Sequence, residues 1–174
     1  EPFATGGSTF SSVASSGFTV LALRNDSGVR SVPIATVSGA FFTTLGTNPI
    51  LGRAIGDEAE PNLVISERLW RELFAGSSDV LGRSLTLADG ATIDRTYTIV
   101  GVMPAEFQLP NARTDAWRTL GFARATGDGR VRELIVGGHQ SYARLKDGIA
   151  FEGARADAYA TVDRVLKPHF TQYR

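Results

Sequence analysis

The side chains that most often perform acid–base or metal chemistry are sparse in this sequence. Its two histidines, His139 and His169, are far apart, and neither belongs to an H-x-x-x-H or H-E-x-x-H pattern. A zinc site would need both imidazoles together with carboxylates. We therefore interpret each of them as a surface histidine or a hydrogen-bonded structural one.

The densest group of carboxylates is Asp57, Glu58 and Glu60, within the segment DEAEP. Carboxylate oxygens are ligands that Ca²⁺ prefers, but this segment lacks the alternating ligand positions and the turn glycine of a calcium loop. A solvated acidic loop is the favoured interpretation, and a divalent-cation site is the alternative. We predict no metal-ligating residue.

Lysine and glycine patterns exclude the common nucleotide-binding loops. A P-loop requires Gly-Lys-Ser/Thr, whereas the only lysines, Lys146 and Lys167, each follow a leucine. The segment Gly127-Asp128-Gly129 lacks the third glycine and the preceding strand of a dinucleotide loop, and we interpret it as a surface turn. No cofactor-binding residue is predicted.

Nucleophilic catalysis has no recognisable site either. The sequence has no cysteine, and no serine stands in a G-x-S-x-G elbow. Ser66 is better explained as a helix cap. One enzymatic alternative is a hydrolase that uses His139 with Asp115 or Ser141, and it requires these groups to converge in a deep pocket. We predict no catalytic residue and expect no enzyme.

Composition is that of an ordinary globular protein. A chain of 174 residues predicts one domain, and 43% hydrophobic residues are enough for a core without disulfides or a structural metal. Lys plus Arg (18) equals Asp plus Glu (18), so no net field attracts nucleic acid. No apolar run reaches the roughly 18 residues that span a bilayer. The opening Glu1 suggests an excised or mature fragment of a larger protein.

The elements that must position these residues begin with strands. Residues 4–17 are rich in Gly, Ser and Thr and predict a loop or a short frayed helix. Two β-branched runs, 18–24 and 29–37, flank a turn and predict a hairpin, with Pro33 on an edge or at a bulge. Residues 40–46 predict a two-turn helix that ends at its final glycine.

The centre of the chain predicts one amphipathic helix and two strands. Ser66 can cap the helix, and Gly76 ends it. Strands are predicted at 84–87 and 97–103, with a connection longer than a tight hairpin. Gly101 indicates a bulge or a closely approaching backbone. The aromatic residues at helical spacing are interpreted as core and not as a ligand cage: Phe41, Phe42, Trp70 and Phe74.

The last third is predicted to be irregular over 105–131. Two possible strands follow at 131–136 and 140–145, and then a helix at 150–167 that Pro168 stops. The whole pattern predicts a mixed α/β chain with mostly antiparallel pairing and no regular βαβ alternation.

Six short signatures occur in one order and with compatible gaps between residues 37 and 148. Together they resemble the MacB-like periplasmic core domain, and Ala91–Arg95 is similar to a short insertion in that pattern. The signatures are VSGAFFTTLG with NPILGR (37–53), LVISERLWR with Phe74 (63–74), VLGRSL (80–85), YTIVGVMP with Phe107 (97–107), DAW (115–117) and YARLKDG (142–148).

The resemblance implies an α+β fold with two lobes. A porter-like lobe would be built from both chain ends, about 1–52 and 138–174, with a second lobe inserted at about 53–137. In MacB/FtsX-type ABC transporter permeases such a domain lies between the first and second transmembrane helices, on the periplasmic face of the bacterial inner membrane. The ATPase acts in the cytoplasm.

The same resemblance implies a non-catalytic role in transport. The domain would couple ATP hydrolysis to export (efflux), to lipoprotein or lipid handling, or to control of a periplasmic partner. The implied partners are the permease's transmembrane helices, the ATPase, a second permease copy, and an adaptor or substrate. A stand-alone periplasmic binding module of the same fold is the alternative.

Overall fold

The computed structural model describes residues 9–25, 28–89, 93–120 and 140–170, and within them the strands join in one mixed sheet. The elements, in chain order, are β1 (Phe10–Asn25), β2 (Gly28–Val37), α1 (Phe41–Leu45), β3 (Leu51–Gly52), β4 (Asn62–Ser66), α2 (Glu67–Phe74), a 3₁₀ turn (Ser78–Val80), β5 (Ser84–Asp89), β6 (Ile93–Met103), β7 (Ala116–Thr119), β8 (Gln140–Leu145) and α3 (Phe151–Phe170).

The sheet closes into a ring of six strands. Its order is β2, β7, β4, β6, β5, β1, and β1 pairs again with β2. The β2–β7 and β4–β6 pairs are parallel, and the other pairs are antiparallel. β8 adds to the first half of β1, and β3 adds to β6. The predicted mixed α/β class with mostly antiparallel pairing is confirmed, whereas the division into two lobes stays a prediction.

Both faces of the central strands are buried, because side chains alternate between two apolar clusters. In β4, Leu63 and Ile65 belong to the cluster that also contains Leu69 of α2, whereas Val64 belongs to the cluster that contains Phe41 and Trp117. Burial on both faces explains why β4 is a continuous apolar run in the sequence.

The predicted hairpin is confirmed, but its first strand begins earlier than expected. β1 pairs with β2 in a continuous register from Ser16 to Asn25. Residues 10–17, predicted as a loop or a frayed helix, form the first half of β1, which pairs with β8 from Phe10 to Ser16. That prediction was wrong because pairing with a strand far along the chain overrides the weak strand preference of Ser, Ala and Gly. Residues 4–8 lie outside the described part.

The connection between β5 and β6 is shorter than predicted. The two strands stay paired out to Asp89 and Ile93, so only residues 90–92 connect them. The prediction was wrong because cross-strand pairing extends β5 by Ala88 and Asp89 and overrides their weak strand preference. The hydroxyls of Thr86 and Thr96 lie 2.9 Å apart across the exposed face of the same ladder.

Two further predictions for the last third need correction. β7 (116–119) lies inside the stretch predicted as irregular, and it escaped notice because a four-residue strand buried on both faces has no alternation. α3 continues past Pro168 to Phe170, since a proline removes one helical hydrogen bond without always ending the helix. The predicted strand at 140–145 is confirmed, and the one at 131–136 lies outside the described residues.

The two interpretations of Gly101 are both confirmed. Leu63 pairs with Ile99 and Val64 with Gly101, so an extra residue bulges out of β6 between the two pairs. A Cβ added at Gly101 would lie 2.2 Å from the carbonyl oxygen of Arg53. The position therefore excludes every side chain unless the backbone of the neighbouring segment moves.

Gly101→Ala is expected to lower the free energy of unfolding by about 2 kcal/mol, because the added methyl group must displace a backbone carbonyl. Urea unfolding followed by circular dichroism measures it. Gly153→Ala is the matched control: no atom lies within 4 Å of its added Cβ, and alanine in a helix is worth up to about 1 kcal/mol. Equal stabilities for the two variants would contradict the prediction.

Candidate functional site

Of the three residues in the hydrolase alternative, the structure describes Asp115 and Ser141, and these two lie apart from each other. Ser141 is exposed on β8, where it pairs with Ser15. The backbone N–H of Asp115 instead donates a hydrogen bond to the carbonyl of Pro33, and Pro33 pairs with Val20 of β1. Val20 follows Ser15 by five residues, roughly 17 Å along an extended strand. The carboxylate of Asp115 and the hydroxyl of Ser141 therefore lie at different places along the sheet.

Several other candidates cannot be placed. His139 and the segment 127–129 lie outside the described residues, as do the side chains of Lys167 and His169. Within the described ranges, no group of three or more His, Asp or Glu side chains is arranged to hold a metal ion.

The acidic loop forms local contacts. Arg53 donates to the carboxylate of Glu58 in an ion pair, and Asn62 Nδ2 donates to the same carboxylate at 3.0 Å. Burial raises the pKa of Glu58, but the hydrogen bond from Asn62 and the charge and hydrogen bond of Arg53 outweigh it, so the pKa is lower than usual. This carboxylate holds the loop against the start of β4.

Glu58 should make stability depend on pH. Because its pKa is lowered in the folded state, its contribution is present above the unfolded pKa of about 4.3 and is lost as the pH falls through the folded value. Glu58→Gln is expected to cost less than about 1 kcal/mol at pH 7, and this cost should shrink as the pH falls through the folded pKa. Urea unfolding of both proteins from pH 3 to 7 tests this, and a stability gap that does not change with pH would contradict it.

A buried carboxylate joins α2 to β7 and β2. The side chain of Asp115 is 3% exposed, and its Oδ1 accepts from Ser66 Oγ (3.1 Å) and from Arg68 Nε (3.0 Å) and Nη2 (2.8 Å). Arg30 Nη2 lies 3.9 Å from Oδ2. Ser66 also accepts from the backbone N–H of Leu69, which confirms its role as the cap of α2. The arrangement is a structural tie and offers no free nucleophile.

A second buried polar residue, Arg118, was not predicted from the sequence. It is 2% exposed on β7, and it donates to Thr36 Oγ1 and to Tyr97 Oη, each at 2.9 Å. Charged residues are rarely buried unless they have partners, so a sequence pattern alone would place this arginine at the surface. Its neighbours in the motif, Ala116 and Trp117, are the one signal that it lies in a buried strand.

Aromatic rings connect α1, β7 and β8. Phe41 packs edge-on against Tyr142 of β8, with centroids 5.4 Å apart, and Phe42 and Phe107 both contact Trp117. Phe41, Phe42 and Trp117 are buried, which confirms the core interpretation for the first two. Trp70 and Phe74 are partly buried against the other cluster, as predicted.

Two segments far apart in the sequence meet at one place: the start of β1, and the segment from β8 to α3. We call these segments the two arms of the chain and their meeting place the arm junction, which is defined by Thr9, Phe10, Leu145, Lys146 and Asp157. Phe10 pairs with Leu145, and the N–H of Lys146 donates to the carbonyl of Thr9 at 2.9 Å. The hydroxyl of Thr9 donates to Asp157 on α3. The start of β1, the end of β8 and α3 are therefore fastened together.

Among the helices of the described residues, none is long and apolar enough to cross a membrane. The ring of strands and the helices define a mixed α/β domain, in which the polar contacts of Asp115 and Arg118 join separate elements.

Comparison with known proteins identifies this fold. Residues 5–160 match the MacB-like periplasmic core domain, so the chain belongs to that family. It is the periplasmic domain of a MacB/FtsX-type ABC transporter permease, as the resemblance of its motifs predicted. No curated protein matches the sequence.

Solved structures share the fold at low sequence identity. The periplasmic region of MacB from Actinobacillus actinomycetemcomitans has a TM-score of 0.64 at 14% identity, covering 94% of this chain and 69% of that one. A domain of a permease protein from Porphyromonas gingivalis has a TM-score of 0.61 at 20% identity, covering 94% and 68%. The extracellular domain of the ABC-type transporter YknZ from Gram-positive bacteria has a TM-score of 0.66 at 12% identity, covering 92% and 76%.

Proposed function

We propose that this domain is a non-catalytic, moving part of its permease, which couples ATP hydrolysis in the cytoplasm to work on the periplasmic face of the inner membrane. That work is export, lipoprotein or lipid handling, or control of a periplasmic partner. The observation that carries the proposal is the arm junction, because a displacement delivered to either arm of the chain reaches the other arm there.

The strand that leaves the junction is suited to carry motion into the domain. β1 is 16 residues long, and it pairs with β8 near the junction and with β2 and β5 farther on. β1 is paired along its whole length, with β8 up to Ser16 and with β2 from Ser16 onward, so a push at Phe10 is carried along a continuous ladder into the ring. The contact of Phe41 with Tyr142 couples α1 to the same movement.

The partners in this proposal follow from the family. They are the transmembrane helices and the cytoplasmic ATPase of the parent transporter, a second permease copy, and a periplasmic adaptor or substrate. The division into a porter-like lobe (1–52 and 138–174) and an inserted lobe (53–137) remains part of the proposal.

A distance measurement in the full-length permease with its ATPase tests the coupling. A spin label on Thr43→Cys, at an exposed position of α1, reports the separation of the two copies in nanodiscs, with cysteines outside this domain replaced. The domain itself has no cysteine, so the label is unique within it. We expect different distance distributions without nucleotide and with ATP and vanadate.

A variant that weakens the arm junction should show a smaller change in the distance distribution between the two nucleotide states. Asp157→Ala removes the acceptor of the Thr9 hydroxyl, and Glu152→Gln, an exposed change on the same helix, is the matched control. Identical distances in both nucleotide states of the unmodified domain would overturn the coupling role and favour the stand-alone binding module. An Asp157→Ala protein that moves like the control would remove the arm junction from the mechanism.

A further inference from the structure

An apolar groove of about 500 Å³ lies on the outer face of the β1–β2 hairpin, beside the loop that precedes β7. Phe18 and Val20 form its floor and are 43% and 48% exposed, which is unusual for neighbouring apolar side chains on a strand. The remaining lining residues are Ser31, Pro33, Asn111, Ala112 and Arg113.

One wall of the groove is an open strand edge. β2 pairs with β7 only from Ile34 onward, and the carbonyl of Pro33 accepts from the N–H of Asp115 on that side. Because main-chain groups alternate along a strand, the N–H and C=O of Ser31 point the same way as those of Pro33, away from β1. Within the described ranges no strand pairs with β2 at Ser31 on this side.

The opposite wall carries the one charged residue among those that line the groove. The backbone of Arg113 is fixed: its N–H donates to Asn111 Oδ1 at 2.9 Å, and its carbonyl accepts from Arg68 Nη2 at 3.2 Å. Its guanidinium forms no ion pair with any carboxylate of the described residues. A fixed backbone and an unengaged cation suit the capture of an anionic group.

We propose that this groove binds a short, extended peptide segment of a partner protein, with apolar side chains and one carboxylate. The peptide main chain adds to β2 at Ser31, an apolar side chain lies on Phe18 and Val20, and the carboxylate pairs with Arg113. A peptide backbone supplies both a donor and an acceptor to the edge, which an acyl chain does not.

The proline limits the length of the added strand. Pro33 has no N–H, and its carbonyl is already used, so pairing with an added strand cannot continue past it toward β7. The site therefore takes a short segment at 29–32 and not a long strand. This inference goes beyond the coupling role and does not depend on it, because binding can be measured in the isolated 174-residue chain.

The test titrates the ¹⁵N-labelled chain with the peptide acetyl-Val-Thr-Glu-Thr-Val-amide, whose apolar and acidic side chains share one face of an extended strand, and follows amide shifts by NMR. We expect saturable shifts at Ser31 and Arg113 with a Kd below about 1 mM. A peptide with an N-methyl group on the central residue should bind at least about tenfold more weakly, because it loses the backbone donor. Replacing glutamate by glutamine should weaken binding about fivefold.

Variants of the protein separate this groove from other surfaces. Arg113→Gln should weaken the glutamate peptide about fivefold and leave the glutamine peptide unchanged, and Val20→Asp should abolish binding of both. Arg155→Gln, at an exposed arginine on α3, is the matched control and should bind as the unmodified chain does. Because Val20 is half exposed, its replacement should preserve the fold, which the NMR spectrum checks.

Four results would overturn the proposal. These are no saturable shift up to 2 mM peptide, equal affinity for the N-methylated peptide, and equal affinity in Arg113→Gln. The fourth is that the shifts at Ser31 also appear without any peptide. If sodium decanoate produced them, the groove would bind an acyl chain, and if concentrating the chain alone produced them, it would bind a second copy.

Discussion

Trp117→Ala is expected to lower the free energy of unfolding by about 4 kcal/mol, the largest loss of any substitution proposed for this domain. The indole is fully buried on β7, between Phe42 and Phe107, and its Nε1–H donates to the carbonyl of Leu109 at 2.8 Å. Alanine leaves a cavity among aromatic rings that cannot all move into it. It also leaves the carbonyl of Leu109 without its donor.

The loss of unfolding free energy should be larger for Trp117 than for Trp70, because only Trp117 is fully buried. Trp117→Phe keeps an aromatic ring in the cluster and should cost about 2 kcal/mol. Trp70→Ala is the matched control, because the Trp70 indole also donates to a carbonyl, that of Ser77 at 2.8 Å, but is only partly buried. Urea unfolding of the three variants gives the ranking. A loss from Trp117→Ala no larger than that from Trp70→Ala would show that the aromatic cluster does not stabilise the ring.

Elements with strong local signals could be predicted from the sequence. The hairpin of β1 and β2 follows from two β-branched runs around a turn, and α2 follows from the Ser66 cap and an apolar stripe. The end of α1 at Gly46 follows in the same way, since its φ of 70° is one that glycine adopts without strain. These signals lie within a few residues of the structures they specify.

Elements that depend on distant partners could not be predicted. The first half of β1 is a strand because β8 pairs with it, and those segments are separated by most of the chain. β7 has four residues and is held by β2 on one edge and β4 on the other. The ring itself closes through the β1–β5 contact at Ala22 and Leu23, for which the sequence contains no local signal.

The functional features divide in the same way. Motif order identified the family, whereas the expectation of no catalytic residue, drawn from the positions of the histidines and lysines, stays a prediction. The groove beside Phe18 and Arg113 was not evident, because the strand pattern does not reveal which apolar side chain remains exposed. The tie at Asp115 was also missed, since it joins residues about fifty positions apart in the chain.

Asp115→Ala is expected to lower the free energy of unfolding by about 3 kcal/mol, the second largest loss. The substitution removes the acceptor that joins α2 to β7, and the N-cap serine then loses the partner of its own hydroxyl. Arg68 is 57% exposed, so water can solvate its guanidinium after the change. For this reason the loss should lie at the lower end of the range for broken buried ion pairs.

Asp115→Asn shows which property of the carboxylate matters. All three hydrogen bonds from Ser66 and Arg68 reach one oxygen, Oδ1, and the single amide oxygen of asparagine can accept them in its place. We therefore expect a loss of only about 1 kcal/mol, and Glu152→Gln, at the exposed pair with Arg155, should lose still less. If asparagine and alanine destabilised the domain equally, the negative charge and not the acceptor geometry would hold α2 on the ring. That result would assign the main role to Arg30, whose Nη2 lies 3.9 Å from the other oxygen.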